Sequence, residues 1–268
     1  MKKLILSIIV LIFAGTQCLG MQQYYFNELQ LDQLRQFSHK KHNIVLVTDL
    51  HDVFLDRVSG DLDRAWQLSW PQFGRFIGKM CLFGPKYLAS QVTDNVERPH
   101  IELYALNKQP VERQEKILEL ISPFTVNDLM FKFFKGCGYP VFACSNVGQA
   151  SYDYMNKKSG GKFNIFAGAQ IATENNGYRQ KNNPEVYHDL AKLIKEKTGK
   201  TPDALFMIDD KYKNIELCIK TLAPLGIRVF GYIFSDAATF ISDVRRTFHP
   251  RIRPATATPV TQPLTQKA

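Results

Sequence analysis

The chain of 268 residues carries a formal charge of +9, with 45% apolar and 22% charged residues, which is the composition of a packed globule rather than a disordered or fibrous chain. Five cysteines with no C-x-x-C pair exclude a disulfide-stapled miniprotein and a zinc ribbon. Setting aside Lys2 and Lys3 at the start and Arg251, Arg253 and Lys267 at the end leaves +4 on residues 21–248, too little to point to nucleic acid as a partner.

Met1-Lys2-Lys3 followed by the apolar run Leu4 to Gly15 reads as a basic start and a hydrophobic segment of a signal peptide. Cys18 and Gly20 occupy the −3 and −1 places for cleavage before Met21, which predicts a periplasmic or secreted protein. The alternative is an uncleaved signal anchor, because Cys is a poor −3 residue. Gln17 in front of Cys18 argues against a lipoprotein. At 12 residues the run is short for a span, and no other run is as apolar, so a polytopic membrane protein is excluded. Membrane contact is expected only through this leader. The spacings of the remaining Cys81, Cys137, Cys144 and Cys218 demand no disulfide.

Tyr24 to Phe37 reads as an amphipathic helix, and Ile44 to Thr48 as a β-branched strand buried on both faces that ends in Asp49. Residues 53–122 carry helical patterning, with Trp66, Trp70, Phe73, Phe76 and Ile77 as apolar material and a break at Gly84-Pro85. Thr125 is the expected N-cap of a helix whose core stripe is Val126, Leu129, Met130, Phe133 and Phe134. Pro140 to Cys144 is a second buried strand, leading to Ser145. Phe163 to Ile171 is a third apolar segment. Asn183 as N-cap and Pro184 as first helical residue open a helix that closes at Gly199. Ala204 to Ile208 is a strand ending in Asp209-Asp210. A helix through Ile215, Ile219 and Leu222 stops near Gly226, and Arg228 to Phe234 is the last strand. From Pro250 the chain is rich in Pro, Thr, Ala and Gln and reads as a disordered tail.

Strands alternating with helices predict an α/β fold with a Rossmann-like parallel sheet, in which ligands bind at the carboxyl ends of the strands. Asp49, Ser145 and Asp209-Asp210 fall at those ends. Paired carboxylates suit a hard cation such as Mg²⁺, a hydroxyl suits a phosphate, and a lysine would balance the charge. There is no G-x-S-x-G elbow, no G-x-x-x-x-G-K-[ST] loop and no H-E-x-x-H.

The chain resembles the haloacid dehalogenase (HAD-like) superfamily in four motifs spread over about residues 43–234. The first, an apolar strand followed by D-x-D-G-[TV], is matched by Val47-Thr48-Asp49-Leu50-His51-Asp52-Val53, the second by Ala143-Cys144-Ser145-Asn146. The lysine segment K-P-D-P-E-I-Y is matched by Lys181-Asn182-Asn183-Pro184-Glu185-Val186-Tyr187, and the acidic motif by Phe206-Met207-Ile208-Asp209-Asp210, with Asn214 following. With the leader at 1–20 and the tail at 249–268 read from their own composition, the resemblance implies a HAD-like core at 21–55 and 123–248 and an inserted helical cap at 56–122. It also implies a Mg²⁺-dependent hydrolase of small phosphorylated substrates acting through an aspartyl-phosphate on Asp49, which the leader would export. Ser145, Asn146 and Lys181 would then bind phosphate. Asp49, Asp210 and the carbonyl of His51 would hold the metal, with Asp209 behind them. His51 stands where relatives carry a second Asp as proton donor, so it is the candidate acid, and Asp52 stands where Gly is usual. That departure keeps two alternatives open: a weak enzyme that binds a phosphorylated ligand or a partner protein, and a hydrolase of a non-phosphate substrate.

Overall fold

The computed structural model describes residues 23–38, 42–56, 110, 112–115, 118 and 124–248. The leader, the tail and nearly all of the expected cap lie outside the described residues.

After helix α1 (23–38) comes β1 (Ile44–Thr48), then β2 (Leu55–Asp56) and β3 (Thr125–Val126) on either side of residues 57–123. Helix α2 (Asp128–Gly136), β4 (Val141–Gly148), α3 (Gln149–Lys158) and β5 (Gly168–Ala172) follow. The chain continues through α4 (Glu185–Thr198), β6 (Ala204–Asp209), α5 (Tyr212–Leu222), β7 (Arg228–Ile233) and α6 (Ala237–Phe248). β5-β4-β1-β6-β7 is a five-stranded sheet, parallel throughout, as expected of buried β-branched runs joined by helices.

Alternate residues of β1 explain the layers. Ile44 and Leu46 face a cluster built with α2, α3 and α6, whereas Val45 and Val47 face one built with α4 and α5. Because the chain leaves β1 first toward β4 and β5 and then returns to β6 and β7, the end of β1 is the topological switch point. Asp49 sits there. β2 and β3 pair antiparallel, Leu55 with Val126.

Several local expectations are corrected. Thr125 does not cap α2, because it is drawn into β3. Asn127 caps instead, accepting from the amides of Leu129 and Met130, while its Nδ2 donates to Asp56 over 2.7 Å. The apolar segment 163–171 divides into a 3₁₀ turn at Lys162–Ile165 and β5. The start of α4 lies one residue later than expected, with Pro184 at the N-cap and Glu185 as the first helical residue, while Asn183 Oδ1 accepts from the Glu185 amide at 3.0 Å. Gly199, at φ 74°, ends α4 in the left-handed conformation that glycine adopts without cost. Cys137, Cys144 and Cys218 are free thiols, the last two buried.

Helix α1 closes the β7 edge. Asn27 Nδ2 donates to the Ile233 carbonyl at 2.9 Å, and the Ile233 amide donates back to Asn27 Oδ1 at 2.8 Å. The Gly231 amide donates to Gln30 Oε1 at 3.0 Å. Side-chain amides thus pair with the edge as a neighbouring strand would, which blunts it against other chains.

Candidate functional site

Asp49 follows β1 directly, its amide donating to the Ile208 carbonyl of β6 at 2.9 Å, so the adjoining strand fixes the level of the carboxylate. Its Oδ1 accepts from the Leu50 amide at 2.7 Å, and its Oδ2 accepts from Lys181 Nζ. The same ammonium donates to Asp209 Oδ2 at 2.7 Å. Asp209 Oδ1 accepts from the Lys211 amide and from Asn214 Nδ2, both at 2.9 Å. Lys181, Asp49 and Asp209 are 2%, 7% and 0% exposed, so the ion pairs lie in a medium where charge is costly unless matched.

Burial by itself would push the Lys181 ammonium down, but the carboxylates of Asp209 and Asp49 outweigh it and hold Lys181 above its ordinary value. Burial pushes Asp209 up against the pull of Lys181, and Asp210 goes up to about 7 through burial and the charges of Asp49 and Asp209. One oxygen each of Asp49, Asp209 and Asp210 lies within 4.8 Å of the others. Three carboxylates against one ammonium leave the cluster short of positive charge, and the donors are all oxygen. Both features fit a hard divalent cation. Asp49 and Asp209 each already accept from protein donors on both oxygens, through Leu50 and Lys181 for the first and Lys181, Lys211 and Asn214 for the second.

Ser145 is buried within β4, which runs on to Gly148. Pairing with β5 shifts register between Cys144 and Gly148, and α3 begins only at Gln149, so no helix N-terminus stands directly after Ser145 to share a phosphate with it. Asn146, expected on phosphate, turns its Oδ1 to the Lys181 amide at 2.8 Å and so fixes the loop that carries the lysine. His51 is exposed and makes an isolated bridge with Leu55. Asp52 is left-handed at φ 62°, which accounts for the glycine usual at that place. A cleft of about 420 Å³ adjoins Asp210 and is lined by Asp52, Asp56, Asn127, Phe234, Ser235, Asp236 and Ala237.

The structure thus gathers Asp49, Lys181, Asp209 and Asp210 into one cluster. Sequence reasoning missed Tyr187 as a site residue, although it quoted it within the lysine motif. The Tyr187 hydroxyl lies 2.9 Å from the Lys181 carbonyl and 3.0 Å from that of Asn214.

No family model matches the chain, and no curated protein matches it. Among solved structures it is similar to the HAD family enzyme bt-2542 from Bacteroides thetaiotaomicron in complex with magnesium and inorganic phosphate. Identity is 18% over 73% of this chain and 98% of that one, with a TM-score of 0.40. It is also similar to a cytosolic 5'-nucleotidase IIIB bound to cytidine, at 10% identity over 81% of this chain and 90% of that one, TM-score 0.44. A dehalogenase matches at 12% identity over 69% and 82%, TM-score 0.42.

Proposed function

We propose that this chain, whose core is HAD-like, is a Mg²⁺-dependent hydrolase of phosphomonoesters that works through an aspartyl-phosphate, exported by its leader or held by it at a membrane. The observation that carries the reading is the Lys181 ammonium seated between Asp49 and Asp209 with Asp210 beside them. Such a cluster can receive a phosphate dianion next to a carboxylate nucleophile only if cations offset the repulsion.

Asp49 Oδ attacks phosphorus as the bond to the leaving oxygen breaks, and the leaving alkoxide takes a proton from the His51 imidazolium. Neutral His51 then accepts a proton from the water that attacks the acyl-phosphate, releasing phosphate and restoring Asp49. Lys181 and Ser145 bind phosphate oxygens, and Asn146 holds the lysine loop. Asp49, Asp210 and the carbonyl of His51 would hold Mg²⁺, which supplies positive charge against the phosphate.

The test is a panel of phosphorylated metabolites and p-nitrophenyl phosphate, with and without Mg²⁺, using Asp49→Asn as the blank. Turnover that needs both Mg²⁺ and Asp49 is expected. No turnover of any phosphomonoester, or equal turnover by Asp49→Asn, overturns the reading. The replacement of the usual second Asp by His51 favours a second reading, a domain that binds a phosphorylated ligand without turning it over.

A further inference from the structure

Lys181 is fixed along its backbone as well as at its ammonium. Its amide donates to Asn146 Oδ1, and its carbonyl accepts from the hydroxyl of Tyr187 at 2.9 Å. That hydroxyl also reaches the carbonyl of Asn214 at 3.0 Å. A phenol has one proton, so it is shared between the two carbonyls. The two residues so joined grip opposite oxygens of one carboxylate: Lys181 Nζ holds Asp209 Oδ2, and Asn214 Nδ2 holds Asp209 Oδ1. Tyr187, Lys181, Asp209 and Asn214 therefore form a closed ring of hydrogen bonds at the site.

The ring ties together parts that the sheet alone does not. Lys181 lies in the loop before α4, Tyr187 in the first turns of α4, Asp209 at the end of β6 and Asn214 in the first turn of α5. Tyr187 is wholly buried and belongs to the apolar cluster that holds Val186, Leu190 and Ile215 with Val45, Val47, Leu205 and Met207 of β1 and β6. Phenylalanine would fill that space equally well. A hydroxyl there has to recover its desolvation through its partners, and its partners are the backbone groups that set Lys181 and Asn214.

We infer that Tyr187 is a positioning residue, whose hydroxyl sets the placement of Lys181 and Asp209 relative to Asp49. The kinetic arm of this inference rests on the phosphatase reading, and a structural arm does not. Tyr232 is the control, since it is equally buried and donates to Asp243 Oδ2 at 2.7 Å on the opposite face of the sheet.

The experiment compares Tyr187→Phe and Tyr232→Phe in the full chain. Melting temperature, kcat and KM on p-nitrophenyl phosphate, and amide hydrogen exchange of the Mg²⁺-free protein are measured. Both variants are expected to melt lower. Only Tyr187→Phe should lower kcat, by about tenfold with KM within about twofold, because displacement of oriented groups acts on the reacting geometry. Only Tyr187→Phe should speed exchange in segments 179–185 and 210–216. Unchanged kcat in Tyr187→Phe, or an equal fall in Tyr232→Phe, overturns the inference. If the parent hydrolyses no phosphomonoester, the phosphatase reading fails by itself. The exchange comparison then decides, and unchanged exchange in those two segments overturns the positioning role.

Discussion

His51 lies two residues beyond Asp49 and is exposed, next to a backbone that Asp52 turns through the left-handed region. An imidazole can give a proton to a leaving oxygen and take one back from water, the task that relatives assign to a carboxyl at this place. His51→Ala should lower kcat/KM on p-nitrophenyl phosphate by about 10²-fold, the usual scale for a general acid, and His51→Asp should match or exceed the parent. An Ala variant as fast as the parent would remove His51 from the mechanism. Turnover that appears only in His51→Asp would make the natural protein a ligand-binding relative. The acids at the strand ends were legible in the sequence, because an apolar run stopping at Asp marks a place on a parallel sheet. Their pairing was not, since Lys181 meets Asp49 across 132 positions and Asp209 across 28. Nor could spacing show that Asn146 would spend its oxygen on the Lys181 amide.

Helix α6 begins where Asp236 Oδ1 accepts from the Thr239 amide at 2.8 Å. That backbone amide, with the Thr239 side chain, holds the Asp236 carboxyl below its usual value. A carboxyl lowered by folding contributes stability above its unfolded pKa and loses it as pH falls through the folded one. Asp236→Ala should therefore cost about 1 kcal/mol at pH 7, a melting shift of about 2–4 °C, with the gap to the parent closing as the pH falls below the usual carboxyl range. Equal destabilisation at pH 7 and in strong acid would show that the cap is not what the substitution removes. The signal for α6 was present: Asp236 stands before Phe240, Ile241, Val244 and Phe248, an apolar stripe at helical spacing. The β2–β3 ribbon left no such trace. Each strand is two residues long and its partner lies some 70 residues away, so Thr125 reads locally as a cap and becomes a strand only through Asp56. Long strands with residues buried on both faces, such as β1 and β6, were readable because their environment repeats along the segment.

At the scale of the whole molecule, no helix among the described residues is long and apolar enough to cross a membrane, and export rests on the leader's own sequence. Residues 1–25 fused to a reporter that works only outside the cytoplasm should switch it on, and a silent but well-expressed reporter would count against export. The amides of α1 matter to such a journey. Asn27 finds its partner at Ile233, 206 positions later, and Gln30 finds Gly231 after 201. A chain emerging from a ribosome or threading a translocation pore presents α1 early, yet α1 has no sheet edge to cover until β7 arrives. Closing so long a loop costs chain entropy before its contacts reward it, and non-local pairing of this kind slows folding. A product truncated before β7 therefore lacks every one of the edge hydrogen bonds that Asn27 and Gln30 make in the complete fold.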